Sequence, residues 1–152
     1  MASMTSSLPI LMADDDEEDC MLAQDALIEA KLANDLHIVS DGEELLQYLR
    51  NEGRYGNISK YPRPGLILLD LNMPKIDGRQ ALEEIRADDK LKDIPVVVMT
   101  TSQAEEDVLR SYLTGANSYI TKPVSFEGLV EVMHTLERYW FQIVRLPLSQ
   151  AA

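Results

Sequence analysis

The chain has little cysteine, little positive charge and no long apolar run. One cysteine, Cys20, among 152 residues excludes an internal disulfide framework and suits a reducing cytoplasm. Lysine and arginine number 14 against 26 acids, a net charge of −12. No basic patch is evident to release counterions, so nucleic-acid backbones and anionic membrane surfaces are not expected partners. Divalent cations or basic protein surfaces fit an acidic chain better. No apolar stretch is long enough to span a bilayer. The amino terminus lacks the basic-then-apolar order of a signal peptide. No cluster of Cys and His provides a zinc site.

Short apolar runs alternate with amphipathic segments. Strands are expected at Leu8–Ala13, Leu36–Val39, Leu66–Asp70, Ile94–Thr100 and Ser118–Thr121. The first helix follows the first strand, with Leu22, Ala26, Leu27 and Ala30 at helical spacing and Cys20 as a small, partly buried thiol. Asp41 can cap a helix whose core face is Leu45, Leu46 and Leu49. Residues 51–65 form a Gly-, Pro- and Tyr-containing loop, longer than usual between helix and strand. A third helix carries Ala81, Leu82 and Ile85, and Ser102 can cap a fourth that Gly115 ends. Ser125 can cap a long fifth helix with an apolar face from Phe126 to Ile143. Five strands alternating with five helices imply an α/β, flavodoxin-like (βα)5 sandwich, a parallel sheet of order 2-1-3-4-5 covered on both faces. The expected division is a disordered amino terminus (1–7), one domain (8–146) and a tail (147–152).

That order places the carboxyl ends of strands one and three side by side, where ligands bind in open α/β sheets. Asp14 and Asp15 end strand one and open the run Asp14-Asp15-Asp16-Glu17-Glu18-Asp19; Asp70 ends strand three. Six acids in a row usually form a solvated loop. Carboxylates clustered from two strands repel unless a cation sits among them, and an all-oxygen set suits Mg²⁺. Thr100 and Lys122 close strands four and five on the same edge. A carboxylate, a hydroxyl, an ammonium and a metal around one point suit a phosphoryl group, with Asp70 as a nucleophile.

This set resembles the bacterial response regulator receiver domain. The resemblance covers about Leu8 to Val144 and rests on Asp14-Asp15, Asp70 with Asn72-Met73-Pro74 and Asp77-Gly78, Thr100-Thr101, and Lys122-Pro123. It implies that Asp70 is the phosphoacceptor. It implies Mg²⁺ on Asp15, Asp70 and the Asn72 carbonyl, with Asp14 acting through water. It also implies that Lys122 contacts the phosphoryl oxygens, across an often cis bond to Pro123, and that Thr100 and Tyr119 are a switch pair. The 51–65 loop, Arg79, the phrase Ile94 to Ser102 and the ending Tyr139-Trp140-Phe141 with Leu146-Pro147 resemble stand-alone regulators paired with phytochrome histidine kinases. That likeness implies phosphotransfer from a kinase histidine and a tendency to homodimerise; the single cysteine leads to the expectation of a cytoplasmic location, and the receiver reading to that of no enzymatic activity beyond self-phosphorylation and self-dephosphorylation. Val132 and Tyr139 are candidate dimer contacts, or incidental surface apolars.

Other readings remain open. A relay shuttle would use the same residues. A dehalogenase-like phosphatase needs a second Asp two positions after its nucleophile, where this chain has Asn72. A flavodoxin-like electron carrier would need a phosphate-cradling loop where strand one instead leads into acids. A non-phosphorylated scaffold has no use for the Asp70, Thr100 and Lys122 set. His37 and His134 have no partner cluster and default to structural or solvent roles.

Overall fold

The structure, a computed structural model, describes residues 9–30, 35–70, 75, 77–100, 118–121, 125–136 and 138. Strands β1 (Ile10–Ala13), β2 (Leu36–Val39), β3 (Leu66–Leu69), β4 (Val96–Thr100) and β5 (Ser118–Thr121) form one sheet in the order β2-β1-β3-β4-β5. All pairings are parallel. Helices α1 (Glu17–Glu29), α2 (Gly42–Leu49), α3 (Gly78–Ala87) and α4 (Phe126–Leu136, the helix expected fifth) accompany it. The expected fourth helix, both chain ends and the Lys122–Pro123 bond lie outside the described residues.

The strands read as unbroken apolar runs because both faces of the sheet are covered. Leu11, Ala13, Ile67, Leu69, Val96 and Val98 point to one face, against α2 and α3. Ile10, Met12, Leu66, Leu68 and Val97 point to the other, against α1 and α4. Alternation along each strand splits one hydrophobic run between two cores.

Local chemistry sets the helix starts. Asp16, Asp41 and Asp77 cap α1, α2 and α3, accepting from main-chain N–H groups two or three residues on. The Ser125 hydroxyl accepts from the Gly128 N–H at 3.0 Å and caps α4. Glu17, Glu18 and Asp19 add negative charge to the first turn of α1, where the helix dipole favours it.

Two expectations need correction. Leu22 is 42% exposed, and Ala23 with Cys20 stands in its place on the buried face of α1; Ala26, Leu27 and Ala30 are buried as expected. Alanines at Ala23 and Ala26 let α1 lie close to the sheet, and Leu22 falls outside that contact. Cys20 is accordingly buried outright, at 7% exposure.

The 51–65 segment is more than a connector. Tyr55, in the 3₁₀ turn Gly53–Tyr55, and Tyr48 of α2 are buried, with Tyr61 packed against them. Ring centroids lie 4.8–5.7 Å apart in tilted and edge-on pairs, a favourable aromatic geometry. The Tyr48 hydroxyl donates to the Pro62 carbonyl at 3.0 Å, and the Tyr55 hydroxyl donates to Glu44 at 2.5 Å.

Burial, then the charges of Tyr55 and Tyr61, push the Tyr48 phenol from 10.0 up to about 12. The folded state therefore keeps a proton that the unfolded chain loses first, so stability falls as pH rises through this window. Chemical denaturation between about pH 9 and pH 12 is expected to show a shallower alkaline decline in Tyr48→Phe. Identical slopes in parent and variant would exclude Tyr48 as a cause.

Candidate functional site

Asp14 and Asp70 each sit one residue beyond a strand, held there by the sheet. The Asp14 N–H donates to the Val39 carbonyl and the Asp70 N–H to the Ala13 carbonyl, both at 3.0 Å. The ladder thus continues one step past β1 and β3 and fixes where both carboxylates start. Asp14 then turns the chain: its Oδ1 accepts from the Asp16 N–H at 2.9 Å. The Cys20 thiol lies 3.6 Å from the Asp14 carbonyl oxygen, tying the first turn of α1 to this corner.

Asp14 is 2% and Asp70 7% exposed, whereas Asp15 faces solvent. One carboxylate oxygen from each of the three lies within 4.8 Å of the others. Among the described residues this is the one grouping of three or more metal-capable side chains, and it contains neither Cys nor His. Two buried carboxylates beside an exposed third form a hard, all-oxygen donor set open on one side. That set fits Mg²⁺ or a similar divalent ion and does not fit a structural zinc centre.

The other expected site residues divide. Thr100 ends β4, two residues past Val98, which pairs with Leu69, so its backbone reaches the level just beyond Asp70. Tyr119 pairs with Val98 on β5, and Thr121 pairs with Thr100. The side chains of Thr100 and Tyr119, and Asn72 and Lys122 altogether, lie outside the described residues.

Sequence reasoning missed two features beside the site. Lys75, five residues after Asp70, has φ of 62°, a left-handed backbone uncommon for a residue with a side chain. Its ammonium lies 3.6 Å from Asp41 and 3.9 Å from Glu43, joining the segment after β3 to the start of α2. Asp77, read as part of a motif, is also the cap of α3. An Asp just before the run that carries Ala81, Leu82 and Ile85 at helical spacing was the available signal for it.

The histidines keep structural or solvent roles. His37 packs on Tyr48 with centroids 5.8 Å apart, and its buried Nε2 has no hydrogen-bond partner among the described residues. His134 is exposed on α4. Val132, offered as a surface contact, is half-buried and packs against the α1-side core; Tyr139 lies outside the described residues.

With this fold and geometry, comparison with known proteins identifies the class. Residues 10–134 match the response regulator receiver domain, and the chain belongs to that family. It is 42% identical over 140 residues to the response regulator Rcp1 of Synechocystis sp., an alignment spanning 92% of this chain and 93% of that one. The crystal structure of the phosphorylated cyanobacterial phytochrome response regulator RcpA superposes with a TM-score of 0.85 at 42% identity, over 93% of this chain and 99% of that one. The Mn²⁺-bound form of Rcp1 superposes at 0.81 with 41% identity, over 92% and 99%. Among the described residues no helix is long and apolar enough to cross a membrane.

Proposed function

We propose that this chain is a two-component phosphorelay response regulator that accepts a phosphoryl group on Asp70 and thereby changes which protein it binds. The observation that carries this reading is the convergence of Asp14, Asp15 and Asp70, oxygens within 4.8 Å, at the carboxyl edge of a receiver-family sheet. The domain would span about residues 8–146, flanked by a short amino-terminal segment and a tail.

In the transfer step an Asp70 carboxylate oxygen attacks phosphorus in line with the leaving group. The new O–P bond forms as the N–P bond of a kinase phosphohistidine breaks. The electron pair returns to the imidazole, which regains a proton from solvent. Asp14, Asp15, Asp70 and the Asn72 main-chain carbonyl would hold Mg²⁺, which when bound offsets negative charge on the phosphoryl oxygens. Lys122 would pair with the same oxygens. The Thr100 hydroxyl would donate to the product, and its movement would open space for Tyr119 to turn inward. An added charge near −2 with several acceptor oxygens is sufficient to bias such a two-state pair.

The donor would be a sensor histidine kinase, and the likeness to RcpA, a phytochrome response regulator, favours a phytochrome kinase. A homodimer acting on a downstream protein is what the likeness to phytochrome response regulators implies, and the single cysteine suits a reducing cytoplasm. Onward transfer to another histidine protein, as a relay shuttle, uses the same chemistry. Activity would be limited to self-phosphorylation and self-dephosphorylation: Asn72 stands where a phosphatase needs its general acid.

Incubation with a small acyl phosphate and Mg²⁺, followed by intact-mass measurement, tests the reading. One phosphoryl addition that requires Mg²⁺ supports it. No addition at any Mg²⁺ concentration overturns it.

A further inference from the structure

The charge of this molecule is unevenly placed. Against a net −12, residues 50–63 carry four basic residues and one acid, whereas residues 86–93 carry three of each. Both segments precede strands, β3 and β4, so in a parallel sheet both lie at the amino-terminal edge. The length of a four-residue strand, about 13 Å, separates that edge from Asp70. The helices return antiparallel to the strands, which brings the ends of α2 and α3 to the same place.

Between these segments lies a cavity of about 430 Å³, within the size range of small-molecule sites. Arg50, Arg63 and Lys90 line it with Glu52 and Asp88, and Leu91 contributes apolar surface. The cations are not equivalent. Arg50 is committed to Glu84 at 3.6 Å and Asp88 at 3.4 Å. Those contacts also occupy Asp88, which further accepts from the Lys90 N–H at 2.9 Å. Arg63 reaches across the gap: one Nη donates to the Lys90 carbonyl at 2.6 Å, bracing the two segments together. Its remaining guanidinium donors and the Lys90 ammonium, which makes no ion pair among the described residues, line the same cavity. Behind them the Tyr48–Tyr55–Tyr61 packing anchors the 51–65 wall to α2.

We propose that this cavity binds a small polyanion bearing two or more phosphate or carboxylate groups, with Arg63 and Lys90 as its principal contacts. The site is separate from the Asp14–Asp15–Asp70 corner and does not depend on the function assigned there. Its place between α2, α3 and the starts of β3 and β4 would let an occupant stiffen the elements that carry the acidic edge.

Isothermal titration with pyrophosphate tests this, using protein freed of metal on a chelating resin so that no cation bridges the anion to the acidic edge. Saturable one-to-one binding is expected. It should weaken at least tenfold in Arg63→Gln/Lys90→Gln, the effect of losing charged hydrogen bonds. Both residues are exposed, and an unchanged melting temperature without ligand would confirm that the variant folds. Citrate in place of pyrophosphate distinguishes a carboxylate ligand from a phosphate one. Absence of saturable binding by either anion, equal binding by parent and variant, or binding only of an acidic peptide would each overturn the proposal.

Discussion

Asp70→Asn is expected to take up no phosphoryl group from a small acyl phosphate under conditions that label the parent once, while remaining folded. The substitution exchanges a carboxylate oxygen for an amide nitrogen of nearly the same shape. A neutral amide is a poor nucleophile for phosphorus and forms no acyl phosphate. The backbone placement does not depend on the side chain, because it is the Asp70 N–H that donates to Ala13. Far-ultraviolet circular dichroism should therefore match the parent, and intact mass should show no addition at any time. A single addition that persists in the variant would move the acceptor elsewhere and sink the assignment of Asp70.

Asp14→Asn is expected to be more stable than the parent without divalent cations and to lose that advantage when Mg²⁺ is added. Two unit charges within 4.8 Å of each other cost about 3 kcal/mol or more at an effective dielectric constant near 20. Hydrogen bonds to the ionised groups offset part of this, leaving an expected gain of about 1–3 kcal/mol. An asparagine keeps an oxygen to accept from the Asp16 N–H, so the turn into α1 survives. For a chain of this length that gain corresponds to a rise of about 2–10 °C in melting temperature. The parent alone should then recover with Mg²⁺, by about 2.7 kcal/mol at a hundredfold excess over its Kd. Thermal melts of both proteins with and without Mg²⁺ should give crossing curves. A variant that is less stable in both conditions would show that Asp14 serves the fold rather than a cation.

Much of this was legible in the sequence because the strands announce themselves. Leu66 to Leu69 and Val96 to Val98 are too short and too uniformly aliphatic for surface helices, and a carboxylate straight after such a run marks a strand end. The convergence of Asp14, Asp15 and Asp70 followed from strand order alone. The exposure of Leu22 did not, because apolar scales weight Leu22 over Ala23, whereas close packing on a sheet favours the smaller residue. The tyrosine-packed 51–65 segment was also hidden. Its contacts join Tyr48, Tyr55 and Tyr61 through side-chain geometry, with no period to detect. Lys75 was missed for a related reason: its partners, Asp41 and Glu43, are some thirty residues away and meet it only once α2 and α3 lie side by side.

The six-acid run from Asp14 to Asp19 is uniform to an isoelectric-focusing gel and graded in the folded chain. Asp14 is enclosed, Asp15 completes the three-carboxylate corner, Asp16 caps α1, and the last three sit on the first helical turn. Exchanging Asp and Glu for one another anywhere along it leaves the net charge untouched, yet the change of one methylene is accommodated at exposed Glu17 or Glu18 and not at enclosed Asp14. Tolerance to substitution should therefore differ from one residue to the next along six neighbours that no measure of bulk charge can tell apart.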